Sequence, residues 1–226
     1  MTGVRAPVGR RVRVPVRLVS AFVSALAFAI LSILVVAGVT HDLDDAVRQQ
    51  FRPDDIWSTN QLIFGNVVDG LGPPVAVGIL LLSGAVAGWR RRSPGPLVYV
   101  GALGVCAVVL TAVAKLSVHR LDPHGGLSRQ GGAYPSGHMV LLLVSLGGAI
   151  LVLRTHSRRW EWVLVAFAEV LMGMSLLFLA MHWFTDVIGG ALLGVVIVAP
   201  ASLARLRWAD MDRQESPRPS RSSGLS

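Results

Sequence analysis

Apolar residues run along this chain in long uninterrupted stretches, and polar residues collect between them. The first stretch covers residues 18–40, 23 positions, which is enough for a helix to cross roughly 30 Å of hydrocarbon at about 1.5 Å per residue. Five more apolar segments follow, at residues 73–89, 96–114, 138–153, 160–181 and 187–206. The pattern therefore predicts an all-α integral membrane protein, a bundle of six transmembrane helices.

The first and fourth segments need a further argument. The fourth is short for a full crossing, which is tolerable when its first turn lies in a water-filled pocket. Four arginines stand shortly before the first segment, so a cleaved signal peptide is the alternative. The apolar run of this segment is longer than the core of about 7 to 15 residues in a signal peptide, which favours a retained helix. Gly190 and Gly194 in the sixth segment, with Gly147 and Gly148 in the fourth, indicate close contacts between helices.

Composition supports a bilayer as the main surroundings of the chain. Of the 226 residues, 53% are hydrophobic and 15% are charged, which leaves too few polar residues to cover a soluble globule of this size. The net charge of +8 does not indicate a nucleic-acid partner, because the arginines flank apolar segments and form no basic face with aromatic residues. The single cysteine, Cys106, excludes an internal disulfide and a cysteine metal site.

The arginine distribution predicts the orientation of the bundle. Sixteen of the 21 lysines and arginines fall in four clusters, in the N-terminal tail, at 90–92, at 154–159 and after residue 204. Six spans place all four clusters on one side, and the positive-inside rule assigns that side, with both termini, to the cytoplasm. We therefore expect three regions: a basic cytoplasmic tail at 1–17, a single membrane domain at 18–206, and a disordered cytoplasmic tail at 207–226.

The polar residues of most interest collect in two segments on the opposite, outer side. The first follows the third span and ends in Pro135-Ser136-Gly137-His138. Ser136 stands where it can cap the following apolar helix, while the N–H groups of that helix's first turn point at an anion. His138 would then project beside the bound group. A helix cap without any ligand is the alternative interpretation.

The second segment contains His182 and Asp186, four residues apart. This spacing places both side chains on one face of a helix, so the carboxylate can accept a hydrogen bond from one imidazole nitrogen. The other nitrogen is then unprotonated and available as a nucleophile or base. This pair alone leaves an alternative to a catalytic role open, namely that both are polar residues in contact with water at the membrane interface.

Three other sets of polar residues have simpler explanations. Lys115, the only lysine, ends an apolar run and can be a cation that snorkels to the interface. Glu169 lies inside the fifth span, 13 residues and about 20 Å before His182, where helix packing or a buried hydrogen bond is the expected role. No compact metal-ligand spacing is present among His119, Asp122, His124 and His138, so no metal site is predicted.

Together the two segments resemble the type 2 phosphatidic acid phosphatase superfamily, relatives of the vanadium haloperoxidases. That family has three motifs: Lys, six residues, Arg-Pro; Pro-Ser-Gly-His; and Ser-Arg, five residues, His, three residues, Asp. The matching positions in this chain are Lys115 with Pro123, residues 135–138, and Ser175 with His182 and Asp186. The order of the motifs and the six-span topology also agree, and the resemblance covers essentially the whole membrane region.

Two motif arginines are replaced in this chain, one by Asp122 and one by Leu176. In the family these guanidinium groups help to bind phosphate. Arg120 and Arg129 are the available replacements, because bidentate binding of an oxyanion needs a guanidinium fork near the site. Asp122 would repel the phosphate, and two alternatives account for its presence. Either Arg120 pairs with Asp122 and offsets its charge, or Asp122 accepts hydrogen bonds from the hydroxyls of a sugar head group.

The resemblance implies a metal-independent phosphatase without a cofactor, acting on a lipid phosphate or pyrophosphate at the extracytoplasmic face of a bacterial cell membrane. A polyprenyl-linked substrate is favoured. His182 would attack phosphorus and form a phosphohistidine, Asp186 would orient His182, and His138 would protonate the leaving oxygen. The expected phosphate ligands are Lys115, Arg120, Ser136 and Gly137, with Arg129 and Asp122 as further candidates.

Two other functions stay open at this point. A lipid-phosphate binder or carrier with the same fold would have lost efficient hydrolysis together with the two arginines. A metal-dependent hydrolase at the outer face is the third possibility. The sequence defines neither the lipid head group nor the oligomeric state.

Overall fold

The computed structural model describes residues 16–127 and 132–214, with side chains as far as Leu203. Within these residues the chain forms eight α-helices and a short 3-10 turn at Pro53–Asp55, which confirms the all-α class. The helices are α1 (Val16–Val36), α2 (His41–Phe51), α3 (Thr59–Leu71), α4 (Pro73–Arg91), α5 (Gly95–Val118), α6 (Gly137–Leu153), α7 (Arg159–Phe178) and α8 (Phe184–Gln214).

All six apolar segments predicted from the sequence are helical. Among the described residues, five helical stretches have the length and composition to cross a membrane, and α6 is a shorter apolar helix of 17 residues. Large apolar side chains cover the outside of the bundle, among them Phe22, Val105, Val163 and Phe167. An exposed apolar surface of this extent is stable when lipid covers it. The count of six spans stays a prediction.

Helix α6 forms the centre of the bundle and packs against α4, α5, α7 and α8. Its residues Val140, Leu142 and Val144 are completely buried. The glycines of α8 allow the close approach, because a Cβ at Gly190 would lie 2.6 Å from the Ser136 carbonyl oxygen and one at Gly194 would lie 3.1 Å from Leu143 Cβ. The close helix contacts predicted from these glycines are confirmed.

The segment 41–72, which lies between the first two predicted spans, forms α2 and α3. Helix α2 packs Val47 and Phe51 onto the core between α6 and α7. Helix α3 begins with a capping box formed by Ser58 and Gln61, and its Phe64 stacks on Phe178 of α7 with ring centroids 4.2 Å apart. The apolar pattern did not predict these two helices, because the polar and glycine residues of this segment lower its hydrophobicity without preventing helix formation.

The described members of the four basic clusters lie at one end of the bundle. Arg17, at the start of α1, donates a hydrogen bond to the Ser202 carbonyl oxygen of α8 at 3.3 Å, and Arg91, at the end of α4, donates one to the Val152 carbonyl oxygen of α6 at 2.8 Å. Which side of the membrane this end faces stays a prediction. Helix α8 continues to Gln214, into the segment 207–226 predicted to be disordered, while 1–15 and 215–226 lie outside the described residues.

Candidate active site

The polar residues singled out from the sequence meet at the end of the bundle opposite the basic clusters. Lys115 lies in the last turn of α5, and Ser136 and His138 lie at the start of α6. His182 lies in the turn between α7 and α8, and Asp186 lies in the first turn of α8. Three separate parts of the sequence, around residues 115, 136–138 and 182–186, therefore contribute to one site.

Asp186 lies beside His182 in a geometry that differs from the expected one, since His182 Nδ1 is buried and has no hydrogen-bond partner among the described residues. The two residues do not share a helix, because α8 begins at Phe184. Asp186 Oδ2 instead accepts a hydrogen bond from the Trp183 N–H at 3.0 Å, as an acidic residue in a first helical turn commonly does, and lies 3.5 Å from His182 Nδ1. Nδ1 thus faces the carboxylate, which leaves Nε2 as the nitrogen available for chemistry.

The second histidine faces the first across a short gap. The ring centroids of His138 and His182 are 5.9 Å apart, and the ring planes meet at 73°. The His182 side chain is 9% exposed. Two imidazoles at this separation can act from opposite sides of a single small group, one as nucleophile and one as proton donor.

Ser136 occupies the N-cap position of α6, but its side chain makes no capping hydrogen bond. Its backbone N–H donates to the Asp186 carbonyl oxygen at 3.0 Å. The hydroxyl is buried and has no hydrogen-bond partner among the described residues. A buried hydroxyl without a partner is unfavourable, so this position is suited to a ligand oxygen.

Lys115 lies inside the bundle and does not snorkel to the surface. It is 3% exposed, and its ammonium group donates a hydrogen bond to the Gly132 carbonyl oxygen. It is close enough to interact electrostatically with both His138 and Asp186. A buried cation this close to His138 and Asp186 is suited to attract an anionic group into the gap between the two histidines.

The Arg120 guanidinium is held between two completely buried carboxylates. Its Nη1 donates to Asp186 Oδ1 at 2.9 Å and to Thr185 Oγ1 at 2.7 Å, and its Nη2 donates to Asp44 Oδ2 at 2.6 Å. The guanidinium also lies over the Trp183 ring, 5.3 Å from the ring centroid. These contacts use three of its five N–H donors, so one on Nη2 and one on Nε remain for other acceptors.

Asp44 and Thr185 are the members of this site that sequence reasoning missed. Asp44 Oδ1 accepts from the Thr185 N–H at 2.9 Å, and Asp44 Oδ2 accepts from Thr185 Oγ1 at 2.7 Å. The signal for Asp44 was present, because it precedes Val47 by three residues and Phe51 by seven and so shares the apolar face of α2. An acidic residue on the buried face of a helix requires a partner.

The two replacement positions have structural roles of their own. Asp122 Oδ1 accepts hydrogen bonds from the N–H groups of His124 at 2.9 Å and Gly126 at 2.8 Å, and so closes a turn after α5. The expected pairing of Arg120 with Asp122 is wrong, because among the described residues Arg120 is bonded to Asp44, Thr185 and Asp186. Leu176 is completely buried in the core.

Arg129, the other candidate replacement, lies outside the described residues. Within the described part of the chain, no three His, Cys, Asp or Glu side chains form a cluster with metal-binding geometry.

Comparisons with known proteins agree with this arrangement. The family model of the PAP2 superfamily matches residues 95–209. An undecaprenyl-diphosphatase of Sulfolobus acidocaldarius is 36% identical over 98 residues, which cover 40% of this chain and 46% of that protein. The chain thus matches less than half the length of this relative.

A similar fold occurs in a crystal structure of a transmembrane PAP2-type phosphatidylglycerolphosphate phosphatase from Bacillus subtilis. Its TM-score is 0.72 at 17% identity, and the match covers 88% of this chain and 99% of the other. The apolar helices and this transmembrane neighbour make the chain a multi-pass membrane protein. With the family model covering half of its length and residues from each of the three motifs meeting in one site, the chain belongs to the PAP2 superfamily.

Proposed function

We propose that this chain is a lipid phosphatase that hydrolyses a lipid phosphate or pyrophosphate at the extracytoplasmic face of the membrane. The observation that carries the proposal is the arrangement of His138 and His182, 5.9 Å apart with Asp186 behind His182. Membership of the PAP2 superfamily supports the reaction class. The similarity to an undecaprenyl-diphosphatase favours a polyprenyl-linked substrate.

In the first half of the reaction, His182 Nε2 attacks phosphorus while Asp186 stabilises the charge that develops on the imidazole. The phosphorus–nitrogen bond forms as the bond to the leaving oxygen breaks, and His138 gives its proton to that oxygen. The lipid product leaves, and the phosphoryl group remains on His182. Such positioned proton transfer accelerates a reaction by about 10² to 10⁴.

In the second half, His138 accepts a proton from water, and the resulting hydroxide oxygen attacks the phosphohistidine. The phosphorus–nitrogen bond breaks, inorganic phosphate leaves, and both histidines return to their starting states. The donors suited to the phosphoryl oxygens are the Lys115 ammonium, the Ser136 hydroxyl, the Gly137 N–H and the remaining donors of Arg120. Electrostatic stabilisation by preorganised donors is usually the largest contribution to phosphoryl transfer.

A phosphate-release assay with the purified full-length protein tests this proposal. The substrates are undecaprenyl pyrophosphate, undecaprenyl phosphate, phosphatidate and phosphatidylglycerol phosphate, each with EDTA in excess. We expect the wild type to release phosphate from at least one polyprenyl substrate, and the His182→Ala protein to release none. Release that requires an added divalent cation would instead favour the metal-dependent hydrolase.

A lipid-phosphate binder without turnover is the second candidate, and one observation favours it. Leu176 occupies a motif arginine position within the core, and Arg120 already bonds to two carboxylates, so fewer guanidinium donors remain for phosphate. The two functions separate when binding and hydrolysis are measured on the same preparation. A wild type that binds a lipid phosphate but hydrolyses every lipid as slowly as His182→Ala would be a binder.

A further inference from the structure

A buried carboxyl group lies far from the candidate active site, inside the bundle. Glu169 of α7 is 6% exposed, and neither of its carboxyl oxygens has a hydrogen-bond partner among the described residues. It precedes His182 by 13 residues, about 20 Å along a helix, so it takes no part in the chemistry at the histidines. Buried polar atoms are nearly always paired, so this carboxyl group requires an explanation.

Glu169 lines a partly open cleft of about 320 Å³ between α1, α6, α7 and α8. The walls are mostly apolar and include Trp162, Val165, Val195 and Val198. The other polar lining residues, Arg17, Ser20 and Ser202, lie toward the basic end of the bundle, where Arg17 and Ser202 are bonded to each other. Glu169 is therefore an isolated polar group on an apolar wall.

Water alone does not explain this cleft. Its volume is far larger than the roughly 10 to 15 Å³ that one water molecule needs, and its mostly apolar walls offer few hydrogen-bond partners to ordered water. Exposed apolar residues of α7, including Val163, Phe167 and Val170, lie beside it on the surface that lipid would cover. The chemistry of the walls therefore suits a long apolar chain that enters from the bilayer.

The carboxyl group specifies the polar part of the occupant. A charged partner is unsuited to this depth, because an ion inside the hydrocarbon region is strongly unfavourable. In apolar surroundings the favoured form of a carboxyl group is the neutral acid, which offers one O–H donor and one carbonyl acceptor. A hydroxyl group also donates once and accepts, so a single hydroxyl satisfies both functions of the acid.

We propose that this cleft binds a lipid alcohol, with its hydroxyl hydrogen-bonded to Glu169 and its chain against the apolar wall that includes Trp162 and Val198. The site stands independently of the phosphatase activity proposed above. That activity on a phosphate monoester would nonetheless produce a ligand of this class in the same membrane. The large head group and charge of a phospholipid do not fit the isolated carboxyl group.

Fluorescence quenching of Trp162 by brominated ligands tests the proposal on the full-length protein in detergent. The two probes are a dodecanol labelled with bromine in its chain and a bromododecane without the hydroxyl. The chain has six tryptophans, so the contribution of Trp162 must be isolated. It is the part of the quenching that is absent in the Trp162→Phe protein. We expect the alcohol to give half-maximal quenching at a concentration at least tenfold lower than the alkane, since it adds two buried hydrogen bonds.

Three variants complete the test. Glu169→Leu should abolish the preference for the alcohol while both probes still quench, and Glu169→Gln, which keeps a donor and an acceptor, should retain most of it. Ser145→Ala removes another buried unpaired hydroxyl outside the cleft and should leave the preference unchanged. Equal quenching by both probes in the wild type, or an undiminished preference in Glu169→Leu, would overturn the proposal.

Discussion

Asp44 and Arg120, 76 positions apart in the sequence, form a 2.6 Å ion pair that joins helix α2 to the candidate active site. Asp44 is completely buried, and the same guanidinium donates to Asp186 at 2.9 Å. Asp44 lies before the part of the chain that matches the family model, which begins at residue 95. A helix outside the family motifs therefore fixes the guanidinium that holds the carboxylate behind His182.

Asp44→Asn tests this relationship. The change keeps the shape of the side chain but leaves Arg120 with one charged partner instead of two. Breaking a buried, hydrogen-bonded charge pair costs about 2 to 5 kcal/mol, so we expect a lower Tm and a kcat/KM reduced at least 30-fold. Arg120→Ala should be at least as damaging because it removes both ion pairs. Asp42→Asn, on the exposed face of the same helix, is the matched control, and an equal effect at Asp42 would contradict the argument.

The roles of the two histidines separate when the covalent intermediate is trapped. We expect wild-type protein quenched during turnover to carry phosphate that is labile in acid and stable in alkali, and His182→Ala to carry none. His138→Ala should slow turnover by about 10² to 10⁴ but still form the phosphoenzyme from a substrate with a good leaving group. His156→Ala, exposed at the opposite end of the bundle, should behave as wild type. Acid-labile phosphate on the His182→Ala protein would refute the assignment of the nucleophile.

Asp122→Asn distinguishes three roles for the residue that replaces a motif arginine. Asn keeps the Oδ1 acceptor that closes the turn through His124 and Gly126, so a purely structural carboxylate predicts near wild-type kinetics and Tm. A carboxylate that repels the substrate predicts faster hydrolysis of undecaprenyl phosphate. One that binds sugar hydroxyls predicts a selective loss on sugar-linked lipids. Because of the two backbone hydrogen bonds we expect the structural outcome, and a change above fivefold on either substrate would exclude it.

The sequence predicted the six apolar helices because their signal is local and repeated over many residues, as in α5 and α6. It also identified Lys115, Ser136, His138, His182 and Asp186, since their spacings follow known motifs. The partner of Arg120 was assigned wrongly, because nearness in sequence favoured Asp122. The actual partners, Asp44 and Asp186, come from α2 and α8, and the pairing depends on how these two helices pack against each other. Such long-range pairs are set by tertiary packing, which no local pattern contains.

The orientation of the bundle is tested by labelling single cysteines with an impermeant maleimide in intact cells, in a Cys106→Ala background. Gln50 and Leu127 are exposed positions at the end of the bundle that carries the two histidines, and His156 is exposed at the other end. Leu127 is preferable to Gly126, where a Cβ would lie 2.8 Å from Asp122 Oδ2. We expect labelling at the first two positions and protection at His156, because the arginine clusters favour a cytoplasmic location for that end. The reverse pattern would place the histidines inside the cell.

Gly190→Ala should damage the site through packing alone. The added Cβ would lie 2.6 Å from the Ser136 carbonyl oxygen and 2.7 Å from Met139 Cβ, so α6 and α8 must move apart where α6 carries Ser136 and His138. Neither contact is with the far end of a flexible side chain, so relief requires a backbone shift, and overpacking of this kind costs about 1 to 3 kcal/mol.

A second substitution separates this steric effect from the general effect of replacing a helical glycine. At Gly101 of α5 an added Cβ meets nothing within 4 Å, so Gly101→Ala should be neutral or stabilise the helix by up to about 1 kcal/mol. We therefore expect Tm and kcat to fall together in Gly190→Ala and to be unchanged or higher in Gly101→Ala. Because a backbone shift at the start of α6 moves His138 relative to His182, the loss in Gly190→Ala should appear in the rate of phosphoenzyme formation. A Gly190→Ala protein with wild-type Tm and turnover would show that the interface between α6 and α8 tolerates a larger separation than the contact distances allow.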